Sequence, residues 1–350
     1  MNKLKKWQIV FLLLLIAGTI VVMIQEHKVA PLKPKPSWQR DEGMIFGTVY
    51  HTTYESDSSL EAHYLAELQR VDGALSMFNP RSTISLINKN ESMQTDTLFR
   101  EVFNLSKQIS LDTEGDFDIT VAPLVNAWGF GFKSGALPDS LQVDSILQFV
   151  GWRKVCLTSD GKLKKLDKRT VMDMSAVAKG YGVDKAAETL ERLGVENYMV
   201  EIGGEIALKG KNPDGKLWTI GINRADDDST STNRDIEAVI ELTDCRIATS
   251  GNYRNYYVTE DGRRLAHTIN PHTGYPVQRD IVSSTVIAPS CAMADAYATA
   301  FMVMGLEEAR KTLERHTELR AYFIYLDTEG NEKTWKTDNL VDIKERTDGQ

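Results

Sequence analysis

Three separated stretches carry side chains whose types and spacing could do chemistry. In "CAMADAYATAFMVMG" (291–305), Asp295 and Thr299 are four residues apart. On a helix their oxygens share one face. Their neighbours are Ala and Met, which predicts a buried helix, and a buried carboxylate is costly unless a cation or hydrogen-bond donors meet it. A hard cation such as Mg²⁺ suits such a site. It takes oxygen ligands and commonly uses only one or two carboxylates plus substrate phosphate. A carboxylate satisfied by a helix N-terminus or an Arg is the plainer alternative, and Asp295 alone does not decide between them.

The second stretch is "DMSAVAKGYGVDKAAETLERLG" (173–194). Asp173 reads as the end of a strand, "TVMDM", and "SAVAKGYG" as a tight small-residue turn that lets backbone approach a ligand. Lys179 near a helix start adds positive charge for a phosphate. Val183, Ala187, Leu190 and Leu193 then lie on one helical face, with Gly194 as the C-cap. Neither a Walker A loop nor a dinucleotide fingerprint is present. The third stretch, "AHTINPHTGYPV" (266–277), places His267 and His272 around turn formers, and a His there could act as a general base. His267 is the better candidate because an anchored strand end precedes it. Ser250, Gly251 and Tyr253 in "ATSGNYRNYY" suit a ligand-lining turn. Trp128, Gly129 and Phe130 end "DITVAPLVNAWGFG" and could stack on a flavin or purine ring, or equally fill a core.

The elements that position these groups are helices and strands intermixed without regular alternation, which predicts an α+β fold. "GMIFGTVYHTTYES" (43–56) reads as a strand. A helix follows, opened by a Ser58/Glu61 capping box, with Leu60, Tyr64, Leu68, Val71 and Leu75 as its apolar stripe. A further helix is expected over 143–150, stopped by Gly151. Ser290 is read as the N-cap of the helix bearing Asp295. "RADDDSTSTNRD" (224–235) reads as a polar loop with no assigned chemistry.

The chain has 350 residues, 42% of them hydrophobic, and a formal net charge of −8, which disfavours nucleic-acid binding. Three widely spaced cysteines, with no CxxC pair, support neither a zinc site nor a disulfide framework. Lys3, Lys5 and Lys6 precede an unbroken apolar run from Ile9 to Ile24. Residues 1–27 are therefore expected to be a membrane anchor with the rest of the chain outside the cytoplasm. "KVA" is a poor cleavage site, which favours an anchor over a removed signal peptide. Residues 28–42 are expected to form a Pro/Lys-rich linker, with "APLKPKPSW" as a stiff tether, and residues 43–345 the catalytic domain.

The order of motifs now carries a resemblance. "FGTVY", "LSMFNPRSTISLIN", "FDITVAPLVNAWGFG", "MDMSAVAKGYGVDKAAETLERLGVENYMVEIGGEIALKG", "ATSGNYRNYY", "HTINPHTGYPV" and "CAMADAYATAFMVMG" follow one another as in the ApbE flavin transferases, over about Phe46 to Gly305. The resemblance implies a two-lobed, T-fold-related α+β domain. It implies FAD as substrate, magnesium, and transfer of FMN to a Thr hydroxyl of a partner protein with release of AMP. It maps metal ligands onto the Ala176 carbonyl, Asp295 and Thr299. It maps FAD contacts onto Phe46, Phe78, Trp128, Gly129, Phe130, Asp173, Lys179 and Ile269, and the base onto His267. Phe46 and Phe78 depart from the Met and Tyr often found there, which keeps an apolar wall but removes a Tyr hydroxyl. The implied acceptors are exported subunits of sodium-pumping NADH:quinone reductase or Rnf-type complexes. The implied location is the inner membrane with the domain on its periplasmic side. Two other readings of the same site are an FAD pyrophosphatase giving FMN and AMP, and a tethered flavin-binding protein without activity.

Overall fold

The computed structural model describes residues 2–26, 37–131, 137–223, 236–251, 256–258, 264–341 and 343–345. Most of the proline-rich tether, the acidic loop 224–235 and Tyr253 lie outside the described residues. Two compact units part between Ser37 and Trp38. The first contains one 25-residue helix, α1 (Asn2–Glu26). Its described side chains run from Lys6 to Ile20 and are exposed. Among the described residues no helix is long and apolar enough to cross a membrane, so the expected transmembrane span is not supported.

The second unit is built on one eight-stranded sheet whose strands neighbour one another in chain order. They are β1 (Trp38–Ile45), β2 (Thr48–Glu55), β3 (Tyr198–Ile202), β4 (Glu205–Lys209), β5 (Cys245–Gly251), β6 (Ile281–Ala288), β7 (Arg320–Leu326) and β8 (Glu332–Lys336). Every neighbouring pair is antiparallel. The single strand expected over 43–56 is instead a hairpin, because Phe46 and Gly47 both take positive φ (52° and 75°) and reverse the chain in two residues. β1 begins at Trp38, inside the stretch read as linker.

The site-bearing segments are excursions from this meander. Between β2 and β3 come α2 (Glu61–Leu75), α3 (Thr97–Asp112), the segment around Trp128, and α4 (Ser175–Arg192). Strands 218–223 and 236–242 leave between β4 and β5 and form, with 343–345, a separate three-stranded sheet. The hairpin 256–258/264–266 and the His267 loop lie between β5 and β6, and α5 (Cys291–Met304) and α6 (Leu306–Arg315) between β6 and β7.

The main core gathers α2, α3, α4 and α5 side chains against the sheet, including Phe99, Phe103, Val177, Phe301 and Phe323. α5 is buried on nearly every side, as its apolar sequence predicts. The α2 stripe holds: Tyr64, Leu68, Val71 and Leu75 are buried. Its capping box does not form. The N-cap is Leu60, without a side-chain bond, and Ser59 Oγ rather than Ser58 accepts from the Glu61 amide at 3.3 Å. The later helix covers Ser140–Leu147 rather than 143–150, because Asp139 and Gln142 close a capping box three residues upstream. Ser290 caps α5 as expected, its Oγ accepting from the Met293 amide at 3.1 Å. The three cysteines are free, with Cys245 and Cys291 buried.

Candidate active site

The stretch expected as a strand end and a turn is neither. "SAVAKGYG" opens α4. Asp173 precedes that helix and accepts from the Ser175 amide (2.8 Å) and hydroxyl (2.5 Å). The small residues serve helix packing. A Cβ at Gly180 would lie 2.3 Å from the Cys291 carbonyl oxygen, and one at Gly182 would lie 2.4 Å from the Phe46 ring. Glycine thus lets α4 press against the start of α5, and tertiary contact outweighs its poor helix propensity.

Two polar contacts tie the same crossing. The Gly180 amide donates to Asp295 Oδ2 at 3.1 Å. Asp184, one turn further along α4, accepts from the Cys291 and Ala292 amides at 2.8 and 2.9 Å, where the α5 N-terminus favours negative charge. Arg246 Nε on β5 stands 3.4 Å from the same Asp184 carboxylate. Burial pushes the Asp184 carboxyl up to about 6, against the pull of those amides and of Arg246.

Lys179 therefore lies between two buried carboxylates. Its Nζ is 2.9 Å from Glu205 Oε1 and 3.7 Å from Asp295 Oδ2. Burial alone would lower the Lys179 ammonium's pKa, but Asp295 and Glu205 outweigh it and hold the group charged. Burial raises both carboxyls in turn, with Lys179 pulling each back. Glu205 Oε2 is buried with no hydrogen-bond partner. Two carboxyl groups thus share one ammonium, an arrangement that a further cation would complete.

The oxygen donors fit such a cation. Thr299 Oγ1 lies one turn from Asp295 on α5 and is 3.2 Å from Ser250 Oγ. Ala176 stands in the first turn of α4. Carboxylate, hydroxyl and carbonyl are all hard oxygen ligands, as Mg²⁺ prefers. Among the described residues no cluster of three or more His, Cys, Asp or Glu forms a metal site. A cation here would have one carboxylate and would need ligands from elsewhere, such as a phosphate.

These groups open onto one cavity of about 1640 Å³, larger than the roughly 300–1,000 Å³ of ordinary small-ligand pockets. Phe46, Phe78, Asp173, Ala176, Lys179, His267, Ile269, Asp295 and Thr299 all line it, as do Ser250 and Gly251. Phe78 is 77% exposed. His267 sits on a loop fixed by its own backbone. The Asn270 side chain accepts from the His272 and Thr273 amides, the Gly274 amide donates to Asn270 O at 2.8 Å, and the Val277 amide donates to Thr268 O at 2.9 Å. The turn reading of Asn-Pro and Thr-Gly thus holds. His272 pairs with Asp116 at 3.2 Å, leaving His267 as the histidine of this loop that lines the cavity.

Trp128, Gly129 and Phe130 are not among the lining residues. Trp128 is buried behind the His267 loop. Its indole Nε1 donates to Gly274 O at 2.7 Å and its ring meets Tyr275 at 5.5 Å. Phe130 packs edge-on against His267 with ring centroids 6.5 Å apart. In this structure the aromatic turn buttresses the loop. Sequence reasoning missed Glu205 and Asp184. The signal for Glu205 was strand alternation: it shares a face of β4 with buried Ala207, so its carboxylate had to point inward.

The chain matches the model of the ApbE family over residues 46–323. It is 38% identical over 298 residues to the FAD:protein FMN transferase of Haemophilus influenzae, covering 81% of this chain and 85% of that one. It is 39% identical over 286 residues to the enzyme of the same name from Vibrio cholerae, covering 78% and 83%. Among solved structures it resembles the flavin transferase ApbE from Vibrio cholerae, with a TM-score of 0.78 and 32% identity over 87% of this chain and 98% of that one. The apo form of the Pseudomonas stutzeri flavinyl transferase ApbE gives a TM-score of 0.77 at 30% identity, covering 88% and 98%. An α+β fold shared over nearly the whole length of those solved chains, and a family match spanning β2, the buried ion cluster and the His267 loop, establish that this chain belongs to the ApbE family.

Proposed function

We propose that this protein transfers the FMN moiety of FAD to a Thr hydroxyl of an acceptor protein and releases AMP. The observation that carries the reading is the convergence of Lys179, Asp295, Thr299, Asp173 and His267 on one cavity large enough for a dinucleotide and an incoming side chain. Asp295, Thr299 and the Ala176 carbonyl would hold a Mg²⁺ ion, which supplies neutralisation of charge on the phosphate oxygens. Lys179 adds a fixed positive charge beside the diphosphate. Phe46 and Phe78 offer apolar walls for a ring, and Asp173 a polar contact. His267, braced by Phe130 and the Trp128–Gly274 bond, takes the proton of the attacking hydroxyl. The new bond joins the Thr oxygen to the phosphorus on the FMN side. The diphosphate bridge breaks at that phosphorus, and AMP departs with the bridging oxygen. General-base help of this kind is worth about 10²–10⁴-fold.

We further infer a location outside the cytoplasm, with exported subunits of redox complexes as acceptors. Support comes from Lys3, Lys5 and Lys6 ahead of the apolar run from Ile9 to Ile24, the order of residues in an export signal, which does not require a helix that spans the membrane. Protease access to the domain in osmotically opened cells tests that placement.

The transfer itself is tested by incubating the protein with FAD, Mg²⁺ and a candidate acceptor. The expected result is an acceptor heavier by one FMN residue, with one AMP released per modification. Free FMN with unmodified acceptor would replace the reading with hydrolysis, and intact bound FAD would replace it with carriage.

A further inference from the structure

Glu205 takes no part in the reaction described above, yet it is 3% exposed, lines the same cavity and keeps one carboxylate oxygen buried without a partner. Its position is built. Gly203 and Gly204 turn the chain with φ of 61° and 99°, and β4 starts at Glu205 in register with Ile202 of β3. The adjoining residue, Ile206, pairs with Ile247 of β5. The carboxylate is thus carried by the middle of the sheet, whereas Lys179 and Asp295 come from two helices.

Lys179 is a competitor as well as a helper. An ammonium beside Asp295 neutralises the carboxylate that a divalent cation needs. The observed distances separate the two partners: Lys179 Nζ is in hydrogen-bond contact with Glu205 at 2.9 Å but stands off Asp295 at 3.7 Å. Asp295 Oδ2 receives its close contact from the Gly180 amide at 3.1 Å instead.

We propose that Glu205 is a positioning residue that holds the Lys179 ammonium away from Asp295 and so keeps that carboxylate open to a divalent cation. This deepens the flavin-transferase reading and rests on it. With Glu205 neutral, Lys179 has one carboxylate left and closes on it, and the cation must then displace a buried ion pair. With Lys179 also removed, the competitor is gone and the cation site reopens.

The test is a titration of the full chain with Mn²⁺ alone, following free Mn²⁺ by electron paramagnetic resonance, alongside melting curves with and without the metal. Glu205→Gln should weaken Mn²⁺ binding by about tenfold or more. The double variant Lys179→Met with Glu205→Gln should return to wild-type affinity or better. Lys179→Met alone should bind more tightly than wild type and gain more melting temperature from Mn²⁺. That gain gives a readout even if Glu205→Gln does not fold. A double variant as weak as Glu205→Gln overturns the proposal, since Glu205 would then ligate the metal itself. Unchanged affinity in Glu205→Gln also overturns it, while leaving the transferase reading intact. A wild-type chain that binds no Mn²⁺, with or without FAD, removes the metal from both.

Discussion

The two ends of the cavity are built differently. The ion-cluster end, with Lys179, Glu205 and Asp295, sits where two long helices cross inside the main core. There a single Cβ at Gly180 would strike backbone. The histidine end is a loop on a satellite cluster of Leu124, Trp128, Val143, Val150 and Ile269. It is held by turn hydrogen bonds and one indole contact. A buried charge is tolerable only where its partners cannot drift, so the charge cluster needs the rigid crossing. A base that must meet an incoming hydroxyl needs an open approach, and a surface loop provides it. Stability and activity should therefore separate between the two ends.

The largest expected effect is at Asp295. Asp295→Ala should take transfer below detection in a mass-shift assay. The fold should survive, because Lys179 keeps Glu205. Flavinylation that persists in the variant, with no need of added metal, contradicts the assignment. Next is His267→Ala, expected to lose about 10²–10⁴-fold in transfer rate while FAD still quenches or shifts on binding. An equal loss of FAD binding makes His267 structural instead. Gly180→Ala should destabilise the fold by about 1–3 kcal/mol, read by urea unfolding, because a carbonyl rather than a flexible side chain meets the new methyl. Trp128→Phe should cost about 1 kcal/mol and slow transfer more than it weakens FAD binding. If it instead harms FAD binding most, the indole serves the ligand directly.

The smallest effect concerns pH. Burial works against the charged form of His316, but the hydrogen bonds its ring donates to Asp112 and Glu318 outweigh it and raise its pKa. Asp112 also receives the Tyr297 hydroxyl of α5 at 2.9 Å, so the group ties α5 to the end of α3. A raised folded value means that this stabilisation is complete below the unfolded value near 6.5. It fades as pH rises through the folded value. Melting temperatures taken across neutral pH should show that decline, and His316→Gln should flatten it.

Much of this site could be read in the residues themselves. Asp295 and Thr299 share a face because any helix puts i and i+4 together, and Ser290 caps that helix because its hydroxyl meets an amide three residues on. The His267 loop follows from Asn-Pro and Thr-Gly in the same local way. Glycine was ambiguous. At Phe46-Gly47 it closes a hairpin, but at Gly180 and Gly182 it admits a neighbouring helix, and a turn and a tight crossing have the same local signature. Trp128 was equally double: its ring suits a ligand or a core, and only the fold shows its indole donating to the Gly274 carbonyl 146 residues away.

The sequence by itself determined elements whose causes are local: the Ser290 cap, the apolar stripe of α2, the turns of the His267 loop and the oxygen pair on α5. Tertiary structure alone decided how Glu205, Lys179 and Asp295 meet, because three charges from a strand and two helices become one buried cluster only when the sheet and the crossing bring them within a few ångströms. Electrostatic energy depends on distance and burial, and neither is written in the spacing of residues along a chain.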